Sequence, residues 1–137
     1  MGRTVKVGLV FLASWVTGLV AYLAALAVFY GQSISSGDLS AVLFWSLLAF
    51  AIAFVAVHVP ALLGLRRFLH GVHPLWPFPV VAALLGVVPS GLIVFFWGGG
   101  FGALASPEAS LFYAMFAASG VVAGLGLARF CWHDHAV

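Results

Sequence analysis

The sequence predicts an all-α, polytopic membrane protein, with four transmembrane helices in an up-down bundle and both termini on the cytoplasmic side. Three observations lead there. Only 6% of residues are charged while 65% are hydrophobic, and the mean hydropathy is +1.24. The apolar residues gather in four runs, 7–30, 41–64, 78–97 and 109–130. The five Lys and Arg residues fall in gaps or ends that alternate threading places on one side. A water-soluble domain of this composition has too little polar surface to cover itself.

A helix needs about 20 apolar residues to cross a hydrocarbon core of ~30 Å, and every run is of that order. A membrane β-barrel needs alternating apolar and polar residues; these runs are apolar on every face. The connections 31–40, 65–77 and 98–108 are short, so residues 1–137 read as one transmembrane domain. Any function is expected in the helices, their rims or their partners.

Helix one follows Arg3 and Lys6. A signal peptide with a small-residue cleavage site at Ala25-Leu26-Ala27 is the competing reading. Its apolar stretch exceeds the roughly 7–15 residues of a signal core, which favours an uncleaved first helix. Asp38 or Ser40 is expected to cap helix two, and Pro60 invites a bend beside His58. Arg66 and Arg67 follow, in a loop that mixes basic residues with Trp76 and belongs in the lipid headgroup layer or against a partner. Helix three carries Pro89, which predicts a kink, and Gly98-Gly99-Gly100 ends it. Ser106-Pro107-Glu108 has the N-cap, first-turn proline and acid that open helix four, and Arg129 sits in its last turn.

With the amino terminus inside, Arg3, Lys6, Arg66, Arg67 and Arg129 share the cytoplasmic side, while Asp38 and Glu108 lie opposite. Short loops are where this bias sets orientation most strongly. Tyr30, Trp45, Trp97 and Tyr113 fall near the outer helix ends, and Trp76 and Trp132 near the inner ends, as amphipathic rings at an interface should. Trp15 fits neither belt. The formal charge of +2 is a topology signal, and no nucleic-acid partner is expected. The expected home is the inner (plasma) membrane.

Lipid tails are as apolar as leucine, so helices in a bilayer associate through close packing, which small residues permit. Ser14, Thr17 or Gly18, Ala21 and Ala25 form such a stripe in helix one; Ser46, Ala49, Ala53 and Ala56 do so in helix two. Ala82, Gly86 and Ser90 follow in helix three, and Ala117, Gly120, Gly124 and Ala128 in helix four. The last includes a GxxxG, whose two readings are a homo-oligomer seam and packing within one chain; packing within the chain is preferred.

Chemistry is sparse. Apart from Arg129 in the last turn of helix four, no Asp, Glu, Lys or Arg lies inside a run, whereas ion-coupled carriers usually keep such a group. His58 is the one titratable residue well inside a span, and it is the candidate axial ligand for a haem or pigment. A second histidine on a facing helix, usual in such sites, is missing, so no cofactor is expected. Cys131, His133 and His135, with Asp134 between them, offer metal-ligating groups, but at no established finger spacing. His70 and His73 lie in the inner loop. One cysteine permits no intrachain disulfide. GxSxG, P-loop and paired intramembrane aspartates are all missing, so no enzymatic activity is expected. The leading expectation is a non-catalytic accessory, assembly or scaffolding subunit held among other membrane subunits. A small channel or carrier, with Pro89 and Ser90 lining a path, comes second, and a haem, pigment or metal carrier third.

Overall fold

A computed structural model describes residues 2–68 and 76–131. Four helices are long and apolar enough to cross a membrane: α1 (Arg3–Tyr30), α2 (Ser36–Phe68), α3 (Pro77–Gly98) and α4 (Pro107–Cys131). No strand occurs among the described residues. Each helix extends past the apolar run that predicted it, because caps and charged end residues continue the helical backbone beyond the hydrocarbon-compatible stretch.

The ends follow local chemistry. Ser35, not Asp38 or Ser40, caps α2: its side chain accepts from the Asp38 N–H, and its hydroxyl donates to the Asp38 carboxylate at 2.8 Å. Asp38 thus sits in the first turn, against the positive helix end. Ser40 points back along the helix, donating to the Gly37 carbonyl. Ser106 caps α4 by accepting from the Ala109 N–H at 3.2 Å. Gly99 ends α3 at φ 101°, a conformation that costs glycine nothing. A 3₁₀ segment, Phe101–Ala105, leads into α4, and the Tyr113 hydroxyl ties it down by donating to the Leu104 carbonyl.

The two prolines are accommodated differently. In α2 the turn Phe54–His58, immediately before Pro60, widens to a π-helix in which the Val59 N–H reaches the Phe54 carbonyl. A proline ring presses on the turn before it and offers no N–H, and a widened turn relieves that crowding. In α3 the helix runs through Pro89 without interruption, and the Ser90 hydroxyl donates to the Val87 carbonyl at 2.7 Å.

Half of the membrane window of α4 is buried, against 17% to 22% for the other three helices, so α4 is the central post. One stripe on α4 (Phe116, Gly120, Gly124, Ala128) faces α3, whose buried stripe is Phe78, Ala82, Gly86, Ser90 and Val94. The neighbouring stripe (Met115, Ser119, Gly126) faces Gly18 and Val10 of α1. The register shows that both pairs run in opposite senses. Gly124 lies over Phe78 and Gly120 over Ala82, while Gly126 lies beside Val10 and Gly18 beside Met115. The small-residue stripes of α1, α3 and α4 thus meet inside one chain, with Phe116 rather than the half-buried Ala117 completing the α4 seam, whereas the α2 stripe turns inward at Ser46, Ala49 and Ala53 but leaves Ala56 exposed.

The third contact surface belongs to α2. Its inner half packs inward: Phe50 and Phe54 stack around Phe11 at 5.2 and 5.3 Å, Ala53 meets Met115 and Phe116, and Leu62 meets Phe78. Its outer half is held to α1 by one side-chain bond, from the Trp15 indole N–H to the Ser46 hydroxyl at 3.1 Å. Trp15 therefore serves helix pairing, which explains its place outside both aromatic belts.

A methyl group on Gly120 or Gly124 would stand 2.5 Å from the Ala82 or Phe78 carbonyl oxygen, too close for either backbone to remain in place. Gly120→Val and Gly124→Val are expected to lower the unfolding midpoint in detergent, with a cost on the order of 1–3 kcal/mol each. Gly8→Ala, where no atom lies within 4 Å, should leave it unchanged.

Candidate functional site

His58 is wholly buried at the centre of the α2–α3 contact. The widened turn carries its ring inward, so that Nδ1 lies 3.1 Å from the Ala53 carbonyl oxygen and Nε2 lies 3.2 Å from that of Ala82 on α3. Gly86 lies beside the ring, and its missing Cβ admits the Phe116 carbonyl of α4, which a Cβ there would meet at 2.7 Å. Phe50 and Phe54 wall the ring, each with its centroid 6.4 Å away. A neutral imidazole has one N–H and donates to one of the two carbonyls; a doubly protonated ring donates to both. A metal or haem iron binds through a ring lone pair, and here each nitrogen faces a backbone oxygen. The imidazole would have to leave this cradle to ligate.

Above His58, toward the outer end, the splayed half of α2 leaves a cavity of ≈ 350 Å³ against the other helices. Tyr22, Trp45, Ser46, Ser90, Phe112 and Phe116 contribute to its wall. The serine hydroxyls donate to carbonyls of their own helices, Leu43 for Ser46 and Val87 for Ser90, so they present mainly carbon and oxygen lone pairs. Among the described residues no buried side-chain nitrogen or oxygen lacks a hydrogen-bond partner. The cavity therefore suits an apolar or weakly polar occupant, such as a hydrocarbon chain or the side chain of a neighbouring helix. Phe116, 2% exposed, forms part of its wall, and the Phe116 carbonyl abuts Gly86.

The basic residues converge at the opposite end. Arg3 and Arg66 border one cavity, and Lys6 and Arg129 another. Arg67 and Trp76 are exposed beside them, Trp76 at 68%. Asp38 and Glu108 occupy the first turns of α2 and α4, at the far end. His70, His73, His133 and His135 lie outside the described residues, as does the side chain of Cys131, so the tail metal site is not placed. Among the described residues, no three His, Cys, Asp or Glu side chains cluster as metal ligands.

Sequence reading singled out His58, Ser46 and Ser90 but missed Tyr22, Trp45, Phe112 and Phe116 as parts of one wall. Nothing local marks them, because they come from three helices and meet only through packing. No family model matches the chain, and no curated protein or solved structure matches it.

Replacing His58 tests the cradle. His58→Phe keeps the ring but removes both hydrogen-bonding nitrogens, and should cost roughly 1–3 kcal/mol in detergent unfolding. His58→Gln, which keeps a donor, should cost less. A smaller loss for His58→Phe than for His58→Gln would mean that ring packing, not hydrogen bonding, holds the cradle.

Proposed function

We propose that this chain is a multi-pass inner (plasma) membrane protein, threaded up and down four times with both ends in the cytoplasm. Its proposed role is that of a non-catalytic accessory or assembly subunit of a larger membrane complex. The orientation rests on segregation of charge: Arg3, Lys6, Arg66 and Arg129 border cavities at one end, and the acids open helices at the other.

The observation that carries the subunit reading is the stance of α2. Its outer half stands off the other helices and exposes Phe44 at 61% and Trp45 at 64%. The cavity behind it is walled mainly by apolar side chains, and its two serine hydroxyls donate to carbonyls of their own helices. A partner helix laid beside α2 would fill that space and gain packing contacts, the main source of helix affinity in lipid. The α4 glycines are covered by α3, which leaves α2, rather than helix four, as the better face for a partner or a second copy.

A small carrier is the second reading. It draws on the π turn and the buried His58, since widened turns and intramembrane titratable groups are both frequent at functional sites. A His58→Phe protein that lost solute flux in liposomes while remaining folded would favour it.

Site-specific photo-crosslinking tests the subunit reading in intact cells. Probes at Phe44 and Ile52 should trap one discrete membrane partner at fixed stoichiometry, and probes at Leu84 and Val88 on α3 should not. Crosslinks to lipid alone at all four positions would overturn it. Single cysteines introduced at Gly37 and Gly102, in a Cys131→Ser background, should react with an impermeant reagent from outside the cell. One at Arg67 should react only after permeabilisation, and the reverse pattern would overturn the orientation.

A further inference from the structure

The hydroxyls inside this bundle share one habit, and Tyr22 departs from it. Those of Ser14, Thr17, Ser46, Ser90, Ser119 and Tyr113 each donate to a backbone carbonyl. The Tyr22 hydroxyl has no hydrogen-bond partner among the described residues. Tyr22 lies eight residues before Tyr30, the last residue of α1, at a depth of about 12 Å. Side chains on a helix lean toward its N-terminus, so this one leans away from the nearer headgroup layer, where belt aromatics find water. Its ring packs instead against the cluster of Ala53, Met115 and Phe116, in the body of the bundle.

Tyr22 borders the cavity of ≈ 350 Å³ behind α2. No enclosed side-chain oxygen lacks a partner among the described residues, so the Tyr22 hydroxyl opens onto free space. The wall around it is aromatic. The Phe112 ring centroid lies 6.0 Å from that of Tyr22, and Trp45 and Phe116 close other sides. An apolar cavity of about 150 Å³ takes a benzene molecule, so this one has room for a substituted ring. Lipid tails compete for any space of this kind. A ligand is selected over a tail only by what a tail lacks: a ring for the aromatic wall, and an oxygen for the unused phenol O–H.

We infer that this cavity binds one quinone-type molecule, a flat, bilayer-soluble ring bearing carbonyl oxygens. The Tyr22 hydroxyl donates to one of those oxygens, and the ring lies among Phe112, Trp45 and Phe116. The two serine hydroxyls of the wall have spent their protons on their own helices, which leaves the tyrosine as the donor. A saturated chain fills the same volume but offers neither ring nor acceptor. A ring without oxygen leaves the phenol unpaired in a medium with no water to pair it. The site goes beyond the subunit reading and does not rest on it. A partner helix beside α2 would cover the same cavity, so partner and ring would compete.

The test uses the whole chain in lipid nanodiscs without partner subunits, so lipid tails compete throughout and the outcome does not depend on the subunit reading. Duroquinone is titrated while tryptophan fluorescence is followed. Durene, which carries the same methyl groups on a ring with no oxygen, is the competitor. Duroquinone should quench in a saturable component, one molecule per chain, that disappears in Trp45→Phe. Durene should displace it with an affinity roughly tenfold weaker. Tyr22→Phe, which keeps the ring and its packing, should bring duroquinone down to the affinity of durene and leave durene unchanged. Tyr30→Phe, at the end of α1, should change neither. Ala49→Phe, which fills the cavity, should abolish the saturable component, with Gly8→Ala as the folded control. Quenching that never saturates, or that survives Ala49→Phe, would overturn the inference, as would durene binding as tightly as duroquinone. Equal weakening of both ligands by Tyr22→Phe would overturn it too, by reducing Tyr22 to a packing residue.

Discussion

Backbone contact along α4 is the constraint from which the rest of this structure follows. In a bilayer, helices gain nothing from hiding apolar surface, since lipid tails already accommodate it. They must gain from proximity instead. Gly120 and Gly124 let the α3 backbone approach until a single methyl group would collide with carbonyl oxygens, and Gly18 does the same for α1 at Met115. With α4 held on two adjacent faces, α1 and α3 have fixed positions. The remaining helix, α2, takes what space they leave.

That residual position accounts for the irregularities of α2. Its inner half is pinned by aromatic packing on Phe11 and by His58 reaching across to Ala82. Pro60 denies the helix a regular turn just there, and the π segment that results swings the imidazole inward between two carbonyls. The outer half has no comparable anchor beyond the Trp15–Ser46 bond, and a cavity opens behind it. One helix therefore carries both the largest wholly buried polar side chain among the described residues and a loosely seated end.

Charge follows the same geometry at a longer range. Opposed helix senses bring together basic residues far apart in sequence, Lys6 with Arg129 and Arg3 with Arg66. Residues that read in sequence only as topology signals thereby become the mouths of cavities. The difference between the two cavities comes from what stands behind the charge: an open hydrocarbon groove in one case and packed Phe78 and Leu62 in the other.

Composition and the four apolar runs were enough to foresee four membrane-spanning helices, because hydropathy sums over about 20 residues and tolerates local error. Small residues at helical spacing identified Gly86, Gly120 and Gly124 as contact points, since close approach demands them wherever it occurs. The partner of each stripe was not legible. An identical GxxxG serves a dimer or an internal seam, and only the packed chain assigned it to α3. Capping shifted from Asp38 to Ser35 because both offer side-chain oxygens, and the choice depends on where the backbone turns. Pro60 announced an irregularity, but only the packed helix shows that it takes the form of a widened turn. The cavity wall of Tyr22, Trp45 and Phe116 was invisible for the same reason. Hydropathy is a property of single segments, whereas cavities, cradles and paired charges are properties of the distances between them, and those distances exist only once the helices have packed.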